Sequence, residues 1–306
     1  MIKYFYKSIK DSKIQILKEF RVGSWIYLEA PSREELEFLA DRHGLELGHL
    51  IDATDPHEVP RLELEKNATY FFRRVPYQEN GRVTTVPVLV AIGEDFVITV
   101  SREPLPFLQK LQKDHADFNT TQKTKVVLQI FSETSIAYSN FLTEIRKRVR
   151  TIGATFEKID NRTVVQFIQF EEILNDFLAG MVPASAILEQ LVTGKILQLY
   201  ERDKDLVEDL ALSAEQIIIQ ARASLRTIVN IREAYSTILT NNLNRVMKIL
   251  TGLTIILSVS VIFTSLYGMN VALPGANSPN AFWGIVLLSA VVSLVLTFLF
   301  FKNRWF

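Results

Sequence analysis

ILTGLTIILSVSVIFTSLYGMN, at residues 249–270, contains no acidic or basic side chain and no histidine. Residues 249–267 alone would reach about 28 Å as an α-helix, close to the roughly 30 Å thickness of a bilayer's hydrocarbon core. A second uncharged stretch of similar length follows at residues 281–301, after a short uncharged loop. The sequence therefore predicts a membrane hairpin. Because two helices enclose no pore, either the chain oligomerises or the hairpin is only an anchor.

The overall composition argues against several classes of function. Acidic and basic side chains number 34 each, so no strong field favours nucleic acid as a partner. Cysteine is absent, which excludes disulfides, thiolate metal sites and cysteine catalysis. We find no phosphate-cradling glycine loop, no nucleophile elbow and no pair of acids beside a histidine. We therefore expect a protein that is not an enzyme and uses no cofactor.

Basic residues flank the predicted hairpin on one side only. Arg245 and Lys248 precede the first span, Lys302 and Arg304 follow the second, and the connecting loop has none. By the positive-inside rule, both termini are expected in the cytoplasm and the loop outside. The N-terminal residues 1–18 lack the long apolar centre of a signal peptide. The expected location is the inner cell membrane, with aromatic side chains at its interfaces: Tyr267, Trp283 and Trp305.

The first 118 residues have the pattern of a mixed α/β domain. Ser32 and Glu35 form a capping-box pattern that should open a helix ending at His43, before Gly44. The Asn80-Gly81 pair is typical of a tight hairpin turn. Consecutive strands joined by tight turns favour an antiparallel sheet covered by helices. We predict strands at residues 25–28, 61–65, 70–77, 83–91 and 96–101.

Strand signals end near residue 121, and three long helical stretches follow, at 121–158, 162–200 and from 203 onward. Pro183 is expected to break or kink the second one. The third stretch has an apolar stripe at steps of three and four, which needs neighbours; identical copies are the simplest ones. The fold predicted is an α+β cytoplasmic domain with a long helical stalk and two C-terminal transmembrane helices. Its segments are 1–118 (α/β domain), 119–202 (long cytoplasmic helices), 203–267 (stalk continuing into the first span), 268–280 (outer loop) and 281–306 (second span and tail).

The first span is not uniformly apolar. Alternating steps of three and four give a narrow seam of mostly small or hydroxyl-bearing residues: Asn244, Met247, Thr251, Thr254, Ser258, Val261, Ser265 and Gly268. Such a seam can be a surface where membrane helices pack, or it can be a pore wall. In the second interpretation Ser258 faces the pore and Ile256 faces away. The second span has hydroxyls only at Ser289, Ser293 and Thr297, which suits packing against the first span from outside.

The chemistry of the seam indicates what could pass along it. It contains no carboxylate, so it cannot hold a bare divalent ion tightly. Magnesium sheds water reluctantly, and hydroxyl and amide oxygens can hydrogen-bond to a hydrated ion while still permitting its release. A ring of Asn270 side chains at the outer mouth would make the first selection. Gly268 and Met269 would hold the turn, and we expect the backbone there to need glycine at position 268.

The sequence Tyr267-Gly268-Met269-Asn270 between two C-terminal spans resembles the signature of the CorA family of magnesium transporters. The segment 244–251 entering the membrane and the basic, aromatic residues 302–306 support the resemblance, which extends weakly through the whole chain. The resemblance implies a funnel-shaped homopentamer that passes Mg²⁺, or cobalt and nickel, through the bilayer. It also implies that Gly268, Met269 and Asn270 form the selectivity filter. Asn244, Met247 and Leu250 would form the narrow cytoplasmic stretch of the pore.

The resemblance further implies regulatory magnesium bound between the soluble domains of neighbouring subunits. The matching acids are Asp52 on one subunit and Asp209 on the next. Asp209 closes a run of acids near a predicted helix start, where carboxylates also complement the helix dipole. The chain departs from the family by having Val259 where a proline is common and by an outer loop without an acid. Weaker electrostatic capture of cations is therefore expected.

Two alternatives remain open from the sequence. The first is a proton-coupled zinc transporter of the same superfamily, which Met269 disfavours because that branch tends to vary this residue. The four histidines also have no zinc-motif spacing: His43, His49, His57 and His115. The second is a membrane-anchored helical scaffold, which would predict no polar seam on the first span and no constraint on the sequence of the loop.

Overall fold

The structure is a computed structural model that describes residues 2–111, 119–154, 161–197, 199–271, 275 and 278–303, with only the backbone at positions 161 and 202. It divides into two compact units, Met1–Asn230 and Ile231–Phe306. Some expectations fall outside the described residues. These are the domain boundary at 118, the first long helix beyond 154, residues 272–274, 276 and 277 of the outer loop, His115, and the chain end with Arg304 and Trp305.

A seven-stranded sheet forms the centre of the first unit, in the order β2-β1-β3-β7-β6-β5-β4. Its strands are β1 (Ile2–Tyr6), β2 (Gln15–Leu17), β3 (Ser24–Glu29), β4 (Arg61–Leu64), β5 (Ala68–Glu79), β6 (Arg82–Gly93) and β7 (Phe96–Ser101). Strands β4 to β7 pair antiparallel in sequence order, as predicted. The expectation fails at the centre, where β3 and β7 are parallel and pair from Ser24 opposite Phe96 to Glu29 opposite Ser101.

Three short helices accompany the sheet: α1 (Arg33–His43), α2 (Leu47–Asp52) and α3 (Pro106–Leu111). Helices α1 and α2 cover one face of it, and α3 contacts α4 through Lys110 and Glu133. The predicted capping box is present, because Glu35 N–H donates to Ser32 Oγ and Ser32 N–H donates to a Glu35 carboxylate oxygen. Gly44 ends α1 with a φ of 62°, a conformation that favours glycine. Apolar residues of α1 and α2 pack on those of the sheet, among them Leu39, Leu50, Phe72 and Ile98, all essentially inaccessible.

Four long helices complete the chain: α4 (Lys123–Gly153), α5 (Asn161–Val192), α6 (Glu201–Tyr267) and α7 (Ala281–Lys302). Helix α5 continues through Pro183 and is not broken there. Buried side chains on both sides of the proline, such as Met181 and Ile187, supply packing that offsets the lost backbone hydrogen bond. The basic residues at 146–148 and 150, on α4, are exposed to solvent, whereas Val149 between them is buried.

A close contact holds α5 against α4 and the sheet. A Cβ atom added at Gly180 would lie 2.5 Å from Tyr138 Oη and 3.2 Å from Arg74 Cβ. The Tyr138 hydroxyl is itself fixed, because it donates a 2.9 Å hydrogen bond to the backbone carbonyl of Arg74. Glycine at position 180 is therefore required by space and not by backbone conformation.

Candidate ion pathway and regulatory carboxylates

The membrane-length parts of α6 and α7 expose apolar side chains over most of their surface. Leu257, Trp283 and Phe298 are each more than half exposed. A helix of a water-soluble protein buries such a surface in the core, whereas these two helices leave it uncovered within the chain. Their length and composition fit the hydrocarbon core of a bilayer.

One side of α6 is covered by α7. The less exposed positions in its membrane part recur at helical spacing: Gly252, Ile256, Val259, Ser260 and Phe263. The hydroxyls of Ser260 and Ser293 lie 3.1 Å apart, which joins the two helices directly. On α7, Ser289, Ser293 and Thr297 are all half-buried, as expected for the face that packs on the first span.

The predicted seam lies on the opposite side of α6. At 3.6 residues per turn, Ser258 is about 160° away from both Ile256 and Ser260. Its members are all exposed within the chain: Asn244, Met247, Thr251, Thr254, Ser258, Val261, Ser265 and Gly268, with Leu250 at its edge also exposed. The prediction that Ile256 faces away from the seam agrees with this geometry. Ile256 is covered by α7 and does not face lipid.

Hydroxyl groups on the seam keep acceptor capacity. Thr254 Oγ1 donates a 2.9 Å hydrogen bond to the carbonyl of Leu250, one turn earlier in the same helix. Its proton is therefore used inside the helix, while its oxygen lone pairs remain available to a donor outside. A water molecule is such a donor. The seam can thus accept hydrogen bonds from water or from the hydration shell of an ion.

The signature residues form the C-terminal end of α6. Gly268 N–H donates to the carbonyls of Thr264 and Ser265 at 3.0 and 3.1 Å, and Met269 N–H donates to that of Leu266 at 3.4 Å. Asn270 follows immediately and is exposed. The expected need for glycine at 268 is not found in the chain itself. Its φ is not positive, and an added Cβ would make only ordinary contacts, at 3.4 Å or more.

The first predicted regulatory acid, Asp52, is bound by an arginine. Asp52 is the last residue of α2, and Arg61 Nη2 donates to Asp52 Oδ2 at 2.8 Å. The same guanidinium donates to Glu63 Oε1 at 3.0 Å and to Glu58 Oε1. It also lies over the Phe72 ring, 3.8 Å from the ring centroid.

A second arginine holds the segment that follows α2. Arg74 Nη1 donates to the carbonyls of Pro56 and Glu58, both at 2.8 Å. Its Nε donates to Thr85 Oγ1 on the neighbouring strand, also at 2.8 Å. Because Arg74 lies on β5 of the sheet, these hydrogen bonds fix the loop that carries Glu58, whose carboxylate pairs with Arg61.

The second predicted regulatory acid, Asp209, lies exposed on α6. Glu201 and Asp203 are in the first turn of this helix, where carboxylates complement its dipole. Asp209 is two turns further on, where that effect has faded, so the dipole does not account for it. Within the described residues, no three or more His, Cys, Asp or Glu side chains converge as a metal-binding group.

The strongest changes in pKa lie away from both regions. Burial lowers the pKa of Arg73 to about 10, and Arg73 lies over the Phe131 ring at 4.2 Å. Burial also raises the pKa of Tyr138 and of Asp176, where α4 and α5 meet the sheet. Burial lowers the pKa of His43, whose ring packs between Phe20 and Phe96. Arg73 and Tyr138 belong to the packed interior of the first unit, whereas His43 is half-buried and Asp176 lies at the surface.

The contacts of Arg61 and the Ser260–Ser293 hydrogen bond are the features that sequence reasoning missed. Asp52, Glu58, Arg61 and Glu63 lie within twelve residues, so their charges are visible in the sequence. Their pairing is not, because it depends on how the end of α2 meets the edge strand β4. Ser260 could have been recognised as the hydroxyl of the first span that lies opposite the seam.

The chain is similar to known transport proteins over nearly its whole length. The model of the family described as CorA-like Mg2+ transporter protein matches residues 21–302. The cobalt/magnesium transport protein CorA of Methanocaldococcus jannaschii is 23% identical over 292 residues, which cover 92% of this chain and 90% of that protein. The complete structure of the CorA magnesium transporter from the same organism matches with a TM-score of 0.89 at 21% identity, covering 100% of this chain and 99% of that one. The full-length CmaX structure matches with a TM-score of 0.78 at 19% identity, covering 100% and 98%.

Proposed function

The chain belongs to the family of CorA-like Mg²⁺ transporter proteins, and from this premise we propose that it passes hydrated Mg²⁺ across the inner membrane. The pathway is a pore lined by the seam of α6 at the centre of a homopentamer. Cobalt and nickel are further candidate ions. The observation that carries the proposal is the orientation of α6, whose polar seam is exposed on the side opposite α7.

The position of α7 supports a pore wall over a packing surface. Within the hairpin, α6 already has its helix partner on the face of Ile256 and Ser260. The seam is therefore free for contacts between copies of the chain. When several copies place α7 outward toward lipid, their seams meet around one axis. Small and hydroxyl-bearing side chains there leave room for water.

Selection of the ion begins at Asn270 in this proposal. Its amide oxygen accepts hydrogen bonds but carries no charge, and the described outer residues Val271, Gly275 and 278–280 include no acid. Such a ring can hold a hydrated divalent cation through its water molecules without stripping them. Weak binding of this kind permits release into the seam. Asn244, Met247 and Leu250 then form the narrow cytoplasmic stretch.

Assembly and orientation follow from the same premise. Both termini lie in the cytoplasm and the loop after Asn270 lies outside, so uptake runs from the Asn270 ring toward Asn244. The long helix α6 exposes apolar residues well before the membrane, including Leu212, Ile219 and Leu239. Neighbouring copies of α6 in a pentamer would cover these side chains.

Regulation by cytoplasmic magnesium is part of the proposal. Mg²⁺ commonly binds through one or two carboxylates and keeps several waters. Asp52 and Asp209 fit this demand, because both are accessible and each offers one carboxylate. Asp52 of one subunit and Asp209 of the next would hold the ion and favour the closed state. Removing either carboxylate weakens that preference.

Divalent-ion uptake into proteoliposomes tests the proposal. A panel of magnesium, cobalt, nickel and zinc, each with and without a pH gradient, should show Mg²⁺ flux that does not require the gradient. Zinc flux driven by the gradient would instead support the proton-coupled alternative. Absence of flux for every ion, from protein shown to be assembled, would leave only an anchored scaffold.

A further inference from the structure

More carboxylates contact Arg61 than its single positive charge can balance. Three carboxylates, those of Asp52, Glu58 and Glu63, accept hydrogen bonds from this one guanidinium. Arg61 and its three carboxylates together carry a net formal charge of −2. One divalent cation would balance this charge, and Asp52 is also the carboxylate to which we assign regulatory magnesium.

The guanidinium of Arg61 is fixed in place. Its side chain is only 26% exposed, and it lies over the ring of Phe72, which pairs with it across β4 and β5. Glu58 is the most buried of its three acids, with a side chain 12% exposed, and Arg74 anchors the backbone of Glu58. Asp52 is 42% exposed. Of these two acids, Asp52 is the one that can exchange its partner for an ion from solution.

Exchange at Asp52 leaves no orphaned charge behind. Losing the sole partner of a buried cation is strongly unfavourable, because the cation remains desolvated and unpaired. Here Glu58 and Glu63 continue to pair with Arg61 when Asp52 turns away. A divalent cation therefore competes with Arg61 for one carboxylate only, and does not have to displace it from all three.

We infer that Arg61 is a tethered cation that competes with divalent ions for Asp52, and so sets the concentration at which cytoplasmic magnesium acts. This inference rests on the proposed function, since it concerns the regulatory role assigned to Asp52. Arg61 is a positioning residue in this role, because it acts on the ion through Asp52. The identity of the side chain at 61 would then tune the magnesium response without any change in the pore.

Magnesium-dependent protection from limited proteolysis, measured on the purified full-length protein, tests the inference without relying on flux. In Arg61→Gln the midpoint of protection should fall about tenfold in Mg²⁺ concentration, because a unit charge acting on a divalent ion at about 6 Å in a water-like medium changes affinity by about that factor. Arg33→Gln removes the same charge from the exposed Arg33–Glu37 pair on α1 and should leave the midpoint unchanged.

Two further variants separate the possible failures. Arg61→Lys keeps the charge but not the three-way hydrogen bonding, so its midpoint should lie between those of the wild type and Arg61→Gln. If Arg61→Gln does not assemble, Arg61→Lys alone tests the competition for Asp52. Asp52→Asn should abolish the protection, and if it does not, the regulatory part of the proposed function fails. If Asp52→Asn abolishes protection while the Arg61 variants keep the wild-type midpoint or raise it, the competition is refuted.

Discussion

Asn270 is the residue on which the proposed selection depends, because it presents a neutral amide directly after the last hydrogen bonds of α6. Asn270→Ala should fold and assemble, since this exposed side chain contributes little to packing within the chain. It should nevertheless lose most selective Mg²⁺ uptake in reconstituted vesicles. Asn270→Asp should bind the cation more tightly and release it more slowly, because five carboxylates create a strong local field. Wild-type flux from assembled Asn270→Ala would place selection deeper in the pore.

Ser258 lies at the middle of the seam and provides the residue-level test of the pore wall. Ser258→Leu should reduce Mg²⁺ flux by at least tenfold, because a large apolar side chain in each of five subunits narrows and dries the path. The measurement is initial uptake per assembled complex. An unchanged rate would mean that the seam is a surface for helix packing.

Thr264 supplies a matched control for Ser258, since it is also an exposed hydroxyl residue on α6. It lies about 120° around the helix from Ser258, and its hydroxyl donates to backbone carbonyls of its own helix. Thr264→Leu should therefore retain most of the flux. Equal losses in the two variants would argue against a distinct pore-facing side.

Gly180 tests the packing of α5 at the scale of whole elements. In Gly180→Ala the new methyl group meets a tyrosine hydroxyl that is buried and hydrogen-bonded, so the helix has to move. We expect destabilisation by about 1–3 kcal/mol, the usual range for overpacking. It would be measured as a lower midpoint of denaturation in detergent. Gly48→Ala, in α2 with open space around the added Cβ, should be neutral or slightly stabilising.

Local signals explain which elements could be predicted from the sequence. The capping box of α1, the Asn-Gly turn between β5 and β6 and the two apolar helices each depend on residues close together in the chain. Strand β1 and the three-residue β2 were not predicted, because their short charged and apolar alternation is weak evidence. The parallel β3–β7 pair depends on contacts some seventy residues apart, which no local pattern reports.

In the candidate site, too, some features could be predicted from the sequence and others could not. The seam was visible because helical periodicity alone determines which side chains share a face, and the structure adds that α7 lies opposite. The glycine at 268 was attributed to backbone conformation, but the chain adopts an ordinary φ there. The partners of Asp52 required knowledge of where α2 ends beside β4. This relation is a tertiary contact between elements, and the spacing of residues along the sequence does not indicate it.

The whole molecule is expected to exist as a pentamer. Two membrane helices cannot enclose a path, and the apolar side chains along α6 need cover from neighbouring copies. Mass measurement of the detergent-solubilised complex should give five chains per particle. A stable monomer or dimer would contradict the proposed pore, whatever the result for individual variants.

The parallel pairing of β3 with β7 has a consequence for how the chain matures as it is synthesised. Strands β1 to β3 are made first and pair with one another, but the other edge of β3 has no partner until β7 has left the ribosome. Closing this long-range pair is the slow step expected of a sheet with non-local contacts. The apolar helices α6 and α7 are translated after that step becomes possible. The seven-stranded sheet can therefore be completed before the two apolar helices are inserted in the membrane, which favours nascent subunits that meet one another already folded.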